Sequence, residues 1–224
     1  MISNFSLADK IFEICKYVYQ GAPGIYLEAG ANDGISYSNT IRLEKELGWT
    51  GILVEPGIPA YELLQQNRPE NLNFNIALTE SESQRYLAGT FSSGSLLSSA
   101  HPELRYRDIA KLTHKYRGVA GLRALMNFKP AVSLIEIEAQ TLDKVIENSK
   151  LPNIDLLSLD VEGFEFNALS GLKKYRPGIV IVETRASNIW EISSIMTHRN
   201  FLLLGDITCE VAGSEFAEHR DFVW

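Results

Sequence analysis

The stretch GIYLEAGANDGISYSNT, residues Gly24–Thr40, decides the fold because it joins an apolar run to a glycine-containing turn. The apolar run predicts a strand over Gly24–Ala31, and the polar residues near Ser36 predict the start of a helix. Gly30 permits a tight bend and a close approach of a ligand to the backbone, while Gly34 permits conformations that other residues avoid. The stretch therefore predicts a ligand site at the end of a strand.

Further apolar runs repeat this alternation of strand and helix. The runs GILVE, IDLLSLD and GIVIVE are apolar at consecutive positions, which is typical of parallel strands covered on both faces. Helical periodicity recurs between them, and Pro59 suits the first turn of a helix. The pattern predicts an α/β fold with a doubly wound, mostly parallel sheet in a single domain over residues 1–224. The predicted strands are Gly24–Ala31, Gly51–Glu55, Leu72–Leu78, Ile154–Asp160 and Gly178–Glu183.

Three other segments complete the predicted domain. An apolar stripe at helical spacing predicts a docking helix over residues 6–19. The segment SLIEIEAQTLDKVI predicts a strand with apolar and acidic side chains on opposite faces, followed by a short helix. The runs FLLLGDIT and EFAEHRDFVW predict a terminal hairpin on the sheet.

The segment His101–Lys129 differs from the rest of the chain in charge. It contains seven basic and two acidic residues, a net charge of +5, whereas the whole chain has a net charge of −7. Its helical spacing predicts an insert over residues 100–130 that serves as a lid, a substrate-binding surface or only a solvated face. We expect Arg105, Arg107 and Lys111 to bind an anionic acceptor, such as a phosphorylated or nucleotide-linked sugar.

Composition restricts the partners and the compartment. The acidic balance, with a pI near 5.2, opposes non-specific binding to nucleic acid. Cys15 and Cys209 lie far apart and show no zinc-ligand spacing, which favours reduced thiols in a cytoplasmic protein. The amino terminus lacks a basic segment followed by an apolar h-region, so we expect no signal peptide. No apolar window is long enough for a membrane span, so we expect no membrane-spanning helix.

The opening turn lacks the motifs of two common phosphate sites. A dinucleotide fingerprint needs glycine where Asn32 stands, and a P-loop needs Gly-Lys-Ser/Thr where the chain has Gly34–Ser36. Acids at two strand ends, Glu28 and Glu55, disfavour a pyrophosphate but favour a cationic amino group and a ribose diol. S-adenosylmethionine combines these groups with a sulfonium and an adenine, so it is the predicted ligand.

Two later strand ends extend this prediction. Ala77 and Leu78, in NFNIALTE, offer small and apolar neighbours for an adenine ring. The run IDLLSLDVEGFE places Asp160 above the sheet at the predicted switch in strand order, beside the methyl donor.

Taken together, the motifs resemble the FkbM-type S-adenosylmethionine-dependent methyltransferases. LEAGANDGISYS, GILVEP, NIAL, SSGSLLS, QTLDKVI and LLSLDVEGFEFNALSGL occur in that order between Gly24 and Leu172, and the D-V-E-G-x-E block is the most specific of them. The resemblance implies a class I, Rossmann-like methyltransferase fold with a seven-stranded sheet and one antiparallel strand. It also implies methylation of a hydroxyl on a sugar, glycolipid or polyketide-like molecule. The predicted donor-binding residues are Glu28, Gly30, Ala31, Asn32, Asp33, Gly34, Ser36, Glu55, Pro56, Ala77, Leu78 and Asp160.

Methyl transfer to a hydroxyl leaves two chemical routes open. Asp160, with Glu162 beside it, is the predicted base, and His101 and His114 of the insert are alternatives. Asp160 and Glu183 would instead hold a hard cation such as Mg²⁺, which acidifies the bound hydroxyl. Two other functions are alternatives to methylation of a small-molecule hydroxyl: a non-catalytic scaffold that binds S-adenosylmethionine, and an RNA methyltransferase that uses the basic insert.

Overall fold

The computed structural model describes residues 6–89, 95–97, 133–185, 188–208 and 219–224. Six α-helices and eleven β-strands lie within these ranges. The helices are α1 (Leu7–Val18), α2 (Ile41–Leu47), α3 (Ile58–Asn67), α4 (Leu142–Ser149), α5 (Glu165–Ser170) and α6 (Ile189–His198). The strands are β1 (Ile25–Ala29), β2 (Thr50–Val54), β3 (Leu72–Phe74), β4 (Ala77–Leu78), β5 (Ser83–Gly89), β6 (Ser95–Leu97), β7 (Ser133–Gln140), β8 (Leu156–Leu159), β9 (Ile179–Arg185), β10 (Gly205–Asp206) and β11 (His219–Val223).

Seven of the strands form one sheet in the order β10-β11-β9-β8-β1-β2-β3. Strands β1, β2, β3, β8 and β9 are parallel, and β11 runs antiparallel to both of its neighbours, β9 and β10. The predicted seven-stranded sheet, its antiparallel strand and the closing hairpin are therefore confirmed. Strand β1 pairs with β2 on one side and with β8 on the other, so the strand order switches direction at β1.

Helices cover both faces of this sheet, as a doubly wound fold requires. Helices α1, α2 and α3 pack on the face that carries Tyr26 and Leu53, and α4, α5 and α6 pack on the face that carries Leu27 and Ile52. Side chains alternate between the two faces because successive residues of a strand point in opposite directions. The predicted docking helix is α1, whose amino terminus is capped by Ser6.

The prediction of one strand over Leu72–Leu78 is wrong, because this segment forms two strands that belong to different sheets. β3 lies at the edge of the main sheet, whereas β4 joins a four-stranded sheet of order β4-β7-β5-β6. The side-chain amide of Asn75 lies between the two strands and donates to the carbonyls of Glu55, at 2.8 Å, and Pro56, at 3.1 Å. These bonds hold the chain at the point where it leaves the main sheet.

The predicted strand in SLIEIEAQ is confirmed as β7, and the helix that follows it as α4. Ile137 and Ala139 are buried, while Glu136 and Glu138 are exposed on the opposite face. The antiparallel partner β5 has no counterpart among the predicted strands.

The helix after the opening turn does not begin where the sequence predicts. It begins at Ile41, five residues later than the predicted start near Ser36. Asp33 accepts hydrogen bonds from the backbone N–H groups of Ile35 and Ser36, and Tyr37 has a φ of 61°, so residues 33–37 form turns instead.

The predicted insert over residues 100–130 lies outside the described residues, as do His101, His114, Arg105, Arg107 and Lys111. None of the described helices has both the length and the apolar character that crossing a membrane requires.

Candidate active site

The candidate site lies where the chain leaves the carboxyl ends of β1 and β8. The two turns touch: the backbone N–H of Asp160 donates to the carbonyl of Ala29 at 3.1 Å. A Cβ atom placed on Gly30 would lie 1.9 Å from the carbonyl oxygen of Asp160, and Gly30 has a φ of 84°. Only glycine fits this position, because an L side chain meets both a steric clash and an unfavourable backbone conformation.

Hydrogen bonds within the first turn fix its shape. The Asp33 carboxylate accepts the N–H groups of Ile35, at 2.9 Å, and Ser36, at 2.6 Å, and also the Ser36 hydroxyl, at 2.8 Å. Partial burial would raise the pKa of Asp33, but these hydrogen bonds outweigh it and lower the pKa below its ordinary value. Asp33 is therefore an anionic brace for the turn.

Glu55 joins the two loops that follow β1 and β2. One carboxylate oxygen accepts the N–H of Asn32 at 2.9 Å, and the other accepts the N–H of Gly57 at 2.7 Å. Burial raises the pKa of Glu55, and the two N–H donors oppose that rise. A carboxylate oxygen can accept two hydrogen bonds and each oxygen of Glu55 accepts one here, so this half-buried group still has acceptor capacity for a ribose diol.

Glu28 is enclosed beneath the first turn rather than exposed beside it. Only 2% of its surface is accessible, and its carboxylate accepts the N–H of Asn39 and the hydroxyls of Ser38 and Thr40. Burial raises its pKa against the effect of these donors. The sequence predicts that Glu28 contacts the donor molecule directly. This enclosed placement better fits an indirect role, in which Glu28 shapes the loop.

The side chains of Ala77 and Leu78 are also enclosed, with 1% and 2% of their surfaces accessible. They belong to the second sheet, and Ala77 packs with Ile137 and Ala139. Any contact of this segment with an adenine ring would therefore involve its backbone.

Carboxylates gather at the ends of β8 and β9. The oxygens of Asp160, Glu165 and Glu183 lie within 4.8 Å of one another, and Asp221 on β11 is paired in register with Glu183. The sequence predicts that Asp160 and Glu183 meet at neighbouring strand ends, and the structure adds Glu165 to them. We call Asp160, Glu165 and Glu183 the carboxylate cluster; its oxygens suit a hard cation as well as a proton.

The surroundings of the cluster raise the pKa of two of its carboxyl groups, those of Asp160 and Glu183. Asp160 is open to solvent on one side, but loss of water contact on the others, followed by the charge of Glu183, raises its pKa well above the ordinary value. Burial, followed by repulsion from Glu165, Glu162 and Asp221, raises the pKa of Glu183 to about 7, against the opposing effect of Arg185. The cluster can therefore accept a proton near neutral pH.

A buried glutamate and an ion pair shape the turn that carries Asp160. Glu165 has no accessible surface and accepts the N–H groups of Val161, at 3.2 Å, and Gly163, at 2.8 Å. Glu162 has a φ of 55°, and its carboxylate accepts a hydrogen bond from Arg185 at 3.0 Å. These contacts hold a left-handed turn that a free chain would rarely adopt.

Two residues of the site, Glu165 and Arg185, are not among those that the sequence predicts. Glu165 is the last acid of the D-V-E-G-x-E block, and a carboxylate directly after a turn is a recognisable brace for the turn's N–H groups. Arg185 follows Glu183 by two residues on the same strand, so the period of two places both side chains on one face.

Comparisons with known proteins agree with the fold. The sequence model of the Methyltransferase FkbM domain matches residues 28–223. No curated protein matches the chain. Among solved structures, methyltransferase FkbM from Methylobacillus flagellatus KT is similar with a TM-score of 0.52 and 13% sequence identity, over 90% of this chain and 44% of that chain. The chain thus spans less than half the length of that protein, and the similarity supports the fold alone.

Two further structures give lower scores. Magnesium protoporphyrin IX methyltransferase from Synechocystis PCC 6803, solved with bound SAM, has a TM-score of 0.49 and 10% identity, over 96% of this chain and 77% of that chain. A TehB-like SAM-dependent methyltransferase from Corynebacterium glutamicum has a TM-score of 0.46 and 12% identity, over 100% and 87% of the two chains. Structural similarity at these TM-scores gives no information about the site.

Proposed function

The chain belongs to the FkbM methyltransferase family, and on that premise we propose that it transfers the methyl group of S-adenosylmethionine to a hydroxyl of a saccharide, a glycolipid or another small acceptor. The observation that carries the proposal is the carboxylate cluster at the strand ends, directly beside the turn that follows β1. A site of this kind combines a place for a cationic donor with groups that accept a proton from an alcohol.

The donor would bind over the turn that contains Gly30, Ala31 and Asn32. Glu55 stands at the end of the adjacent strand, where its carboxylate can accept the two ribose hydroxyls. The carboxylate cluster lies on the other side of Gly30 and would attract the sulfonium and the amino group. A pyrophosphate would be repelled by the same charges.

Transfer would proceed in line. The acceptor oxygen forms a bond to the methyl carbon while the carbon–sulfur bond breaks, and that bonding pair stays on sulfur as the neutral thioether. The hydroxyl proton goes to Asp160. Holding the two reactants in line supplies on the order of 7–11 kcal/mol. Glu162, which is paired with Arg185, would orient the turn that carries Asp160 rather than accept the proton itself.

The charge around the cluster bears on the acceptor. A phosphate placed against Asp160 and Glu183 would be repelled, so the group that enters the reacting centre would be an uncharged hydroxyl. Any anionic part of the acceptor would bind away from the cluster, and Arg105, Arg107 and Lys111 are the residues that the sequence predicts to bind it.

Incubation with labelled S-adenosylmethionine tests the proposal. The acceptor panel should contain neutral sugars, the same sugars in phosphorylated or nucleotide-linked form, glycolipids and RNA, and calorimetry should measure binding of the donor and of S-adenosylhomocysteine. We expect donor binding and label transfer to a sugar or lipid hydroxyl. Binding without transfer to any class would favour a scaffold, and transfer to RNA alone would favour an RNA methyltransferase. Absence of donor binding would reject the proposal.

Metal dependence has a separate test. We expect dialysis against a chelator to leave activity within about twofold of its starting value, because a carboxylate with a raised pKa is itself an adequate base. A loss of activity that Mg²⁺ restores would contradict this expectation and would assign Asp160 and Glu183, with Glu165, as ligands of a hard cation.

A further inference from the structure

Arg68, just after α3, is a fully enclosed cation behind the donor turn, the turn that contains Gly30, Ala31 and Asn32. Only 1% of its surface is accessible, whereas arginine is rarely buried unless it is paired. Its Nε donates to the carboxylate of Glu44 at 2.6 Å, and this ion pair offsets the charge. The remaining nitrogens point toward the loop that follows β1.

The guanidinium contacts that loop at both of its ends. One terminal nitrogen donates to the carbonyl of Gly34, at 3.0 Å, and to the hydroxyl of Ser38, at 3.2 Å. The other donates to the hydroxyl of Thr40, at 3.3 Å, and to that of Tyr26, at 2.6 Å. The loop over residues 34–40 is therefore tied to β1 and α3 through one side chain.

Arg68 and Glu28 hold the same two loop residues from opposite sides. The hydroxyls of Ser38 and Thr40 donate to the Glu28 carboxylate and accept from Arg68. Each hydroxyl thereby uses both its donor and its acceptor capacity, which leaves it little freedom to rotate. A buried ion pair is weak evidence of a contribution to stability, since apolar residues of similar volume often stabilise a protein as well or better. The contacts instead determine one conformation of the loop.

We propose that Arg68 is a positioning residue for methyl-donor binding, which fixes the loop over residues 34–40 without touching the donor. The inference rests on the proposed donor site. Lysine cannot replace arginine here, because one ammonium group cannot reach a carboxylate, a carbonyl and three hydroxyls that require a planar fork.

Arg68→Lys, with Arg68→Met beside it, tests the proposal against Arg42→Lys. Arg42 is the control because it also binds carboxylates through Nε and a terminal nitrogen, at 2.6 Å to Glu46 and 2.6 Å to Asp9, and both of these partners lie outside the loop over residues 34–40. For Arg68→Lys we expect the dissociation constant of S-adenosylhomocysteine and the KM of the donor to rise at least about tenfold. We expect kcat at saturating donor to stay within about threefold, since the carboxylate cluster is unchanged. Arg42→Lys should leave the donor constants at their wild-type values.

A purely structural role of Arg68 predicts a different result. If Arg68→Lys lowers Tm but leaves the donor constants as they are in Arg42→Lys, the proposal is overturned. If neither Arg68 variant folds, Asn67→Ala provides the test, because Asn67 is exposed and donates at 2.8 Å to the carbonyl of Asp33, the residue directly before the loop over residues 34–40. It should weaken donor binding about fivefold at an unchanged Tm, and unchanged binding would overturn the proposal. Failure of the wild-type protein to bind the donor would instead reject the proposed function.

Discussion

Asp160→Asn is expected to lower kcat by about 10²–10⁴-fold, because an amide of the same shape cannot accept the acceptor's proton. Donor affinity should fall by less than about tenfold, since the carboxyl groups of Glu165 and Glu183 stay near the sulfonium and the Asp160 backbone bond to Ala29 is retained. Steady-state kinetics and calorimetry with S-adenosylhomocysteine measure the two effects separately. Glu46→Gln is the control: it also removes one ion-paired carboxylate, but from the exposed side of α2.

The pH profile gives the same prediction a second readout. Glu183 faces Glu165 on α5, Glu162 in the turn and Asp221 on β11, with Arg185 as the nearby cation, and its pKa is raised to about 7. Because the pKa values of Asp160 and Glu183 are raised, the cluster binds a proton as the pH falls, and a protonated base is inactive. We expect kcat to increase between about pH 6 and pH 8 and then to level off. A kcat for Asp160→Asn above about a tenth of the wild-type value, with this profile intact, would show that Asp160 is not the base.

The meeting of Asp160 and Glu183 is predictable from the sequence because it depends only on strand ends. Both residues end apolar runs, and parallel neighbouring strands place their carboxyl ends at one edge of the sheet. The same rule predicts that Glu55 and the turn that starts at Gly30 belong to the donor site. It requires no knowledge of side-chain contacts, which is why it applies to Asp160 and Glu183 although they lie 23 positions apart in the chain.

The rule alone does not predict the burial of Glu28, because the position of a residue in a strand also decides which face of the sheet it occupies. Glu28 follows Tyr26 by two residues, so it lies on the face that α1, α2 and α3 cover, and its carboxylate is enclosed. The role of Arg68 was not predictable at all. An arginine at a helix end is usually exposed, and its contacts with Gly34, Ser38 and Thr40 exist only after α3 has packed on the sheet.

Gly30→Ala is expected to produce the largest loss of donor binding, because Gly30 joins the two halves of the site. The new Cβ would lie 1.9 Å from the carbonyl oxygen of Asp160, so the turns after β1 and β8 would have to separate. That movement displaces the donor turn and Asp160 together, and both donor affinity and kcat should fall by more than about 100-fold, with a stability loss of several kcal/mol. Calorimetry, single-turnover kinetics and thermal unfolding measure these effects.

Gly21→Ala separates the steric clash from the backbone strain. Gly21 has a φ of 74°, close to the 84° of Gly30, but no atom lies within 4 Å of the position of its added Cβ. The control should therefore show only the cost of a left-handed alanine, about 1–2 kcal/mol, which lowers Tm by roughly 2–4 °C per kcal/mol in a chain of this size. Its donor binding should be unchanged. If Gly30→Ala behaved like Gly21→Ala in all three measurements, the two turns would not need to touch, and the geometry that brings the donor beside Asp160 would lose its physical basis.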